Sequence, residues 1–199
     1  MTLSRILYFF SLIRPGYKTL RLSFRSDFMR FFLYLLIGVS LSSCTKSEEG
    51  DFKLSFIRPF RIDAGSGTLL TYVIDMDVPT GWTSFLKANG LTNANIDRVS
   101  PRSLTISPQL GNEISYKFVE DVRVYIQDPA KPSSKIQIGR ANPLPNEREG
   151  NLYLFPGIAD LKDYFMLPQV KIYVEFIYRD LITNNSDHQI EMQFNIFKK

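Results

Sequence analysis

Residues 52–199 predict an all-β fold: a single antiparallel β-sandwich of about eight strands, immunoglobulin-like or similar in plan, with two short helices. Three observations carry this. Apolar side chains recur at every second position in several runs, and turn-forming clusters separate those runs at regular intervals. The stretch is about 150 residues long, enough for one hydrophobic core, and shows no fixed-period repeat or dividing linker.

Phe52–Ile62 puts Leu54, Phe56, Phe60 and Ile62 on one face; Pro59, having no N–H for a ladder, marks an edge strand or a bulge. After a Gly65-Ser66-Gly67 turn, residues 68–78 form the next strand. Thr80 stands where it would cap a helix over residues 82–89, with Trp82, Phe85 and Leu86 on one face as helix-to-sheet core. Gly90 followed by apolar Leu91 predicts a Schellman stop. Residues 102–107 carry Leu104 and Ile106 as a further strand.

The run 114–126 alternates through Tyr116, Phe118, Val122 and Val124, but Glu120 falls in the inward register. An unpaired buried carboxylate is costly, so a bulge or strand break at Glu120-Asp121 is expected instead of a buried charge. Residues 135–141 and 151–155 complete the short strands, and 158–165, closed before Pro168, is the second helix; the two helices are expected to plug the open ends or cross between sheets. The clearest alternation is Val170, Ile172, Val174, Phe176 and Tyr178, repeated by Ile190, Met192, Phe194 and Ile196. The turn-forming Thr183-Asn184-Asn185-Ser186-Asp187 between them predicts a C-terminal antiparallel hairpin.

Upstream the chain changes character. Residues 29–44, MRFFLYLLIGVSLSSC, start with the basic Arg30, continue through an apolar run and end on small residues and the chain's one cysteine. A spanning helix needs about 20 apolar residues, more than this run supplies. The order Leu41-Ser42-Ser43-Cys44 resembles the lipobox of bacterial lipoproteins. The resemblance implies a cleaved signal, with Cys44 as the lipidated N-terminus of the mature protein and a membrane partner through that anchor. Each buried CH₂ is worth about 0.8 kcal/mol, so several acyl chains hold firmly where one does not.

Residues 45–51 are polar and acidic, as a flexible tether should be, and Lys46-Ser47-Glu48-Glu49 is similar to the acidic export signal of surface lipoproteins in Bacteroidota. Thr45 is not the aspartate that retains enterobacterial lipoproteins at the inner membrane, so the resemblance implies the outer membrane and makes the cell surface a candidate location. Residues 1–28 hold a second apolar patch and a basic stretch; they are expected to be an upstream mis-assigned start before Met29, or else an amphipathic membrane-surface segment.

The charge of +4 comes from 24 basic and 20 acidic residues; leaving out the six basic residues and one acidic residue up to Cys44 leaves 18 and 19, a net of −1. With no basic run interleaved with aromatics after Cys44, nucleic acid is not expected as a partner. One cysteine rules out an internal disulfide. One histidine, His188, rules out a zinc site and is expected to be a solvated turn residue. There is no G-x-S-x-G elbow, Walker loop or dinucleotide-binding glycine pattern, so neither an enzyme nor a cofactor is expected.

Asp75 and Asp77, two apart on one strand face, are weak metal candidates, and with Asp63, Glu120-Asp121, Asp160 or Asp163 they are the residues a carboxylate-dependent hydrolase would have to use. Tyr125 beside Arg123, and Tyr173 beside Lys171 and Glu175, fall on the polar register of their strands, where a tyrosine platform would bind a sugar ring or a partner surface. The expected function is therefore a non-enzymatic outer-membrane lipoprotein binding an envelope or extracellular protein or glycan. The alternative is a structural or assembly subunit, an adhesin or envelope-complex component, associating through strand edges.

Overall fold

The computed structural model describes residues 49–68, 70–109, 116–142 and 150–199. Cys44, the lipobox residues Leu41, Ser42 and Ser43, and residues 1–28 lie outside the described residues. The strands are β1 (Phe52–Ile62), β2 (Thr71–Pro79), β3 (Ile96–Pro108), β4 (Val119–Gln127), β5 (Ile136–Ala141), β6 (Leu152–Pro156), β7 (Gln169–Tyr178) and β8 (Ser186–Lys198). Two helices interrupt them, α1 (Trp82–Ala88) and α2 (Lys162–Phe165).

All eight strands belong to one sheet in the order β1-β8-β3-β6-β5-β4-β7-β2, and every pairing is antiparallel. The class is the all-β antiparallel one the alternation predicts, but the plan is corrected. Two four-stranded halves are joined through Gly139↔Pro156 and Arg140↔Phe155, so the sheet curls nearly into a barrel instead of forming two separate sheets of an immunoglobulin-like sandwich. Successive strands mostly alternate between the halves, the order of a jelly roll.

The expected C-terminal hairpin does not form. β7 pairs with β2 and β4, while β8 pairs with β1 and β3. Alternation sets which face is apolar, and it holds throughout: Val170, Ile172, Val174, Phe176 and Tyr178 are buried, as are Ile190, Met192, Phe194 and Ile196. The same pattern suits strands that face one another across a core as well as strands lying side by side. What separates them is the segment 179–185, tied away from a tight turn by backbone bonds from Arg179 N to Phe118 O (2.9 Å), Gly65 N to Ile182 O (2.8 Å) and Ile182 N to Ser66 O (3.2 Å).

Pro59 lies on β1, which is an edge strand, the place in a sheet where a residue without an N–H is tolerated. β3 is central yet carries Pro101, accommodated at a register shift between Pro101 and Ser103. At Glu120 the expected bulge occurs: the β4–β7 register shifts between Val119 and Asp121, and Glu120 turns out to water. The expectation of no buried charge there is corrected, because the bulge leaves the neighbouring Asp121 buried.

Two aromatic clusters fill the core. Phe56, Phe165 and Phe194 meet edge-on and tilted, with Phe165 and Phe194 centroids 4.8 Å apart, and Trp82 joins them at 5.9 Å from Phe165. Trp82 is core, its indole N–H donating to Asn93 Oδ1 at 2.7 Å. The N-cap position of α1 is Gly81 (φ +60°) and not Thr80, but the Thr80 hydroxyl still accepts from Trp82 N at 3.4 Å and donates to Leu167 O at 2.6 Å, pinning the helix start to the loop before β7. Gly90 (φ +63°) ends α1 as expected, with Leu91 N bonded to Leu86 O (2.9 Å) and Gly90 N to Lys87 O (3.3 Å), the two bonds of a Schellman motif. The second cluster gathers Phe60, Tyr72, Tyr116, Phe118, Phe176, Tyr178 and, unexpectedly, His188.

Candidate functional site

The outer face of β5, β4, β7 and β2 brings the polar-register residues together. Tyr125 on β4 stands directly opposite Tyr173 on β7, and Asp75 on β2 continues the row. Both tyrosines are half-buried. The Lys135 ammonium lies 4.4 Å from the Tyr125 ring centroid and 4.7 Å from that of Tyr173, and is held by Glu175 at 2.5 Å. Cation–π attraction and the ion pair together fix this cluster in one arrangement.

The adjacent row crosses four strands as Val73, Glu175, Arg123 and Arg140. Like charges directly opposite on neighbouring strands repel, and Asp121 resolves the conflict for the two arginines. Its Oδ2 accepts from Arg123 Nε (2.9 Å) and Nη2 (2.6 Å), while Arg140 donates to Oδ1 from Nε (3.3 Å) and to Oδ2 from Nη2 (3.2 Å). Burial pushes the Asp121 carboxyl pKa up, but hydrogen bonds from Asn142, Arg140 and Arg123 outweigh it and hold the group below its ordinary value. The row therefore sets two anchored cations beside two aromatic rings.

The face therefore joins Tyr125, Tyr173, Lys135, Arg123 and Arg140. Arg123 and Tyr125 were visible as neighbours on one strand face. Lys135 and Arg140 were not, because only strand pairing brings β5 and the segment before it against β4.

Asp75 and Asp77 project to the same side of edge strand β2, where Asp75 is bound by Lys171 at 2.9 Å and Asp77 stands opposite that lysine. No group of three or more His, Cys, Asp or Glu side chains that would hold a metal occurs among the described residues. Asp160 serves the backbone, accepting from Val99 N and Lys162 N at 3.0 Å each.

His188 is not the solvated turn residue the sequence suggested; it is wholly buried and stacked on Phe60, with centroids 5.5 Å apart. β8 begins at Ser186, so His188 already lies on the inward register of a strand, where the turn-forming cluster concealed it. Its Nδ1 is 2.9 Å from the Tyr116 hydroxyl and its Nε2 is 2.7 Å from Ser186 Oγ. Burial lowers its pKa to about 4, against a small opposing pull from Asp187, so the ring is neutral at pH 7. Burial pushes the Tyr116 hydroxyl upward, and it stays protonated.

No protein-family model matches this chain, and no curated protein sequence matches it. Among solved structures it is similar to the BFDV capsid protein in its decameric crystal form, at 13% identity and a TM-score of 0.41, covering 74% of this chain and 98% of that one. Turnip yellow mosaic virus (14% identity, TM-score 0.26, 79% and 88% covered) and desmodium yellow mottle tymovirus (12%, 0.22, 79% and 95%) also align. Superpositions this loose carry no argument about function.

Proposed function

We propose that this chain is a lipid-anchored protein of the outer membrane whose folded domain is a non-catalytic binding module, contacting an envelope or extracellular protein or glycan through the outer face of β5, β4, β7 and β2. The observation that carries this is the convergence of Tyr125 and Tyr173, direct cross-strand neighbours with Arg123, Arg140 and Lys135 around them. Aromatic rings and arginines are the side chains that contribute most to recognition surfaces. The lipobox-like Leu41-Ser42-Ser43-Cys44 supports the anchor. A non-catalytic role is supported by the burial of His188, the chain's one histidine, whose ring is stacked on Phe60 and closed off from water.

The test uses the full chain expressed in bacteria fed labelled palmitate. The parent should take up label and bind isolated envelope fractions; Cys44→Ser should lose the label, and the Tyr125→Ala/Tyr173→Ala pair should keep the label but bind about tenfold more weakly. Equal labelling of Cys44→Ser refutes the anchor, and unchanged binding by the tyrosine pair refutes the face.

One observation favours assembly through a strand edge as a second reading. β1 is blunted by Lys53, Arg58, Pro59 and Arg61, whereas β2, the other edge, carries neither proline nor a basic residue between Thr71 and Val78. Concentration-dependent association in sedimentation, abolished by Val73→Lys, is the expected result for that reading; a monomer at every concentration rejects it.

A further inference from the structure

Away from the tyrosine face, the second aromatic cluster reaches the surface at a cleft of about 310 Å³ walled by Phe118 and Ile182 and rimmed by Thr183, Asn184, Asn185 and Ser186. That volume is at the small end of the range occupied by small-molecule sites. No charged side chain is among its described lining residues.

The cleft is built on buried supports. Phe118 packs against Tyr116 and Tyr178, with ring centroids 6.2 and 5.8 Å away. The segment that carries the rim is strapped at Ile182 to Gly65 and Ser66 by the two backbone bonds already described. Asn185 Oδ1 accepts from Ala64 N at 2.7 Å, which fixes its amide orientation and leaves its NH₂ group as the outward donor.

Ser186 is oriented by a relay that runs inward. Tyr116 is inaccessible to water, and among the described residues the partner of its hydroxyl is His188 Nδ1 at 2.9 Å, so we assign the phenol as donor and the ring nitrogen as acceptor. A neutral imidazole carries one ring hydrogen, so that hydrogen is on Nε2 and donates to Ser186 Oγ at 2.7 Å. The serine oxygen then accepts from the histidine, which leaves its own hydrogen available to a group in the cleft. In this tautomer His188 cannot take a proton from Ser186, so the chain Tyr116–His188–Ser186 ends in an aimed donor and not in a nucleophile.

We propose that this cleft binds one neutral sugar unit, its C–H face against Phe118 and its oxygens accepting hydrogen bonds from Ser186 and Asn185. An apolar wall beside fixed neutral donors suits a polyhydroxylated ring. An anion would find no cation among the described lining residues, and a hydrocarbon would strand the donors unpaired. The site is separate from the tyrosine face, and the two stand or fall independently.

The test titrates the full chain in detergent micelles with the methyl glycosides of glucose, galactose, mannose and N-acetylglucosamine, with methyl glucuronide as the charged control, followed by NMR. At least one neutral glycoside should shift the Phe118, Asn185 and Ser186 resonances saturably. Ser186→Ala should weaken it about tenfold, and Asn185→Ala, a rim variant that leaves the relay intact, about threefold. Tyr125→Ala should leave this binding unchanged. The ¹⁵N shifts of His188 should report a hydrogen on Nε2. The proposal is overturned by no saturable shift with any neutral glycoside, by preference for the glucuronide, by undiminished affinity in a folded Ser186→Ala chain, or by a hydrogen on His188 Nδ1.

Discussion

Truncating Asp121 to alanine is expected to destabilise the domain by about 2–3 kcal/mol, read from chemical or thermal unfolding. The carboxylate is 2% exposed and serves two guanidiniums that face each other across the β4–β5 ladder. Removing one partner of a fully buried ion pair costs about 3–5 kcal/mol, because a charge is left without compensation. Here Arg123 and Arg140 are 36% and 45% exposed and can turn toward water, which places the cost below that range. What remains is the lost charge-assisted hydrogen bonds and the repulsion of opposed cations. Two controls separate those contributions. Added salt should recover part of the loss by screening, and Asp121→Ala combined with Arg140→Leu should recover about 1 kcal/mol by deleting one cation. If Asp121→Ala unfolds with the parent under all conditions, the carboxylate does not hold this face together.

Acid should destabilise the domain earlier than its carboxylates alone dictate, and His188 is the reason. Burial lowers its pKa from 6.5 to about 4, so the unfolded chain binds a proton near pH 6.5 that the folded chain refuses until near pH 4. The neutral-ring contribution is fully present above pH 6.5 and is lost as the pH falls toward 4, in total about 3 kcal/mol. Asp121, with its pKa held low, has the same sign in a more acidic window: its stabilisation is present above the ordinary aspartate value and is lost only below it. The interval from pH 6.5 to 5 therefore isolates the histidine, with a slope approaching 1.4 kcal/mol per pH unit toward its lower end.

His188→Phe paired with Tyr116→Phe removes both ends of the buried bond. It should stay within about 1 kcal/mol of the parent at pH 7, because neither end of that bond is left orphaned and the half-buried Ser186 hydroxyl can turn to water. It should also lose the slope between pH 6.5 and 5. His188→Ala alone, which opens a cavity beside Phe60 and strands the Tyr116 hydroxyl, should cost about 3–5 kcal/mol. An unchanged acid slope in the double phenylalanine variant would show that the buried imidazole is not the titrating group.

The site was legible in pieces. Tyr125 and Tyr173 stood out because aromatic side chains in the polar register of an alternating strand are unusual, and the structure makes them neighbours. The arginine pair was hidden, since Arg140 meets Arg123 only through the β4–β5 register, which no local pattern specifies. Glu120 was correctly read as bulge-forming, yet the same bulge turned Asp121 into the buried carboxylate under that pair. His188 was misread because a cluster of Thr, Asn, Ser and Asp announces a turn, while the strand that follows begins two residues before the histidine.

What the residues alone determined is local and periodic: which side chains face inward along each strand, where Pro59 must find an edge, how Gly90 ends its helix, and that the segment before Cys44 differs in kind from the domain after it. Those follow from side-chain period and backbone stereochemistry, which act over a few positions. Tertiary structure alone decided which strands pair, that β7 and β8 face each other instead of forming a hairpin, and that Tyr116, His188 and Ser186 join into one relay across 70 residues of chain. Alternation sets the face of a strand and leaves its neighbour open, and that choice is made by how the whole set of apolar faces closes around a common core.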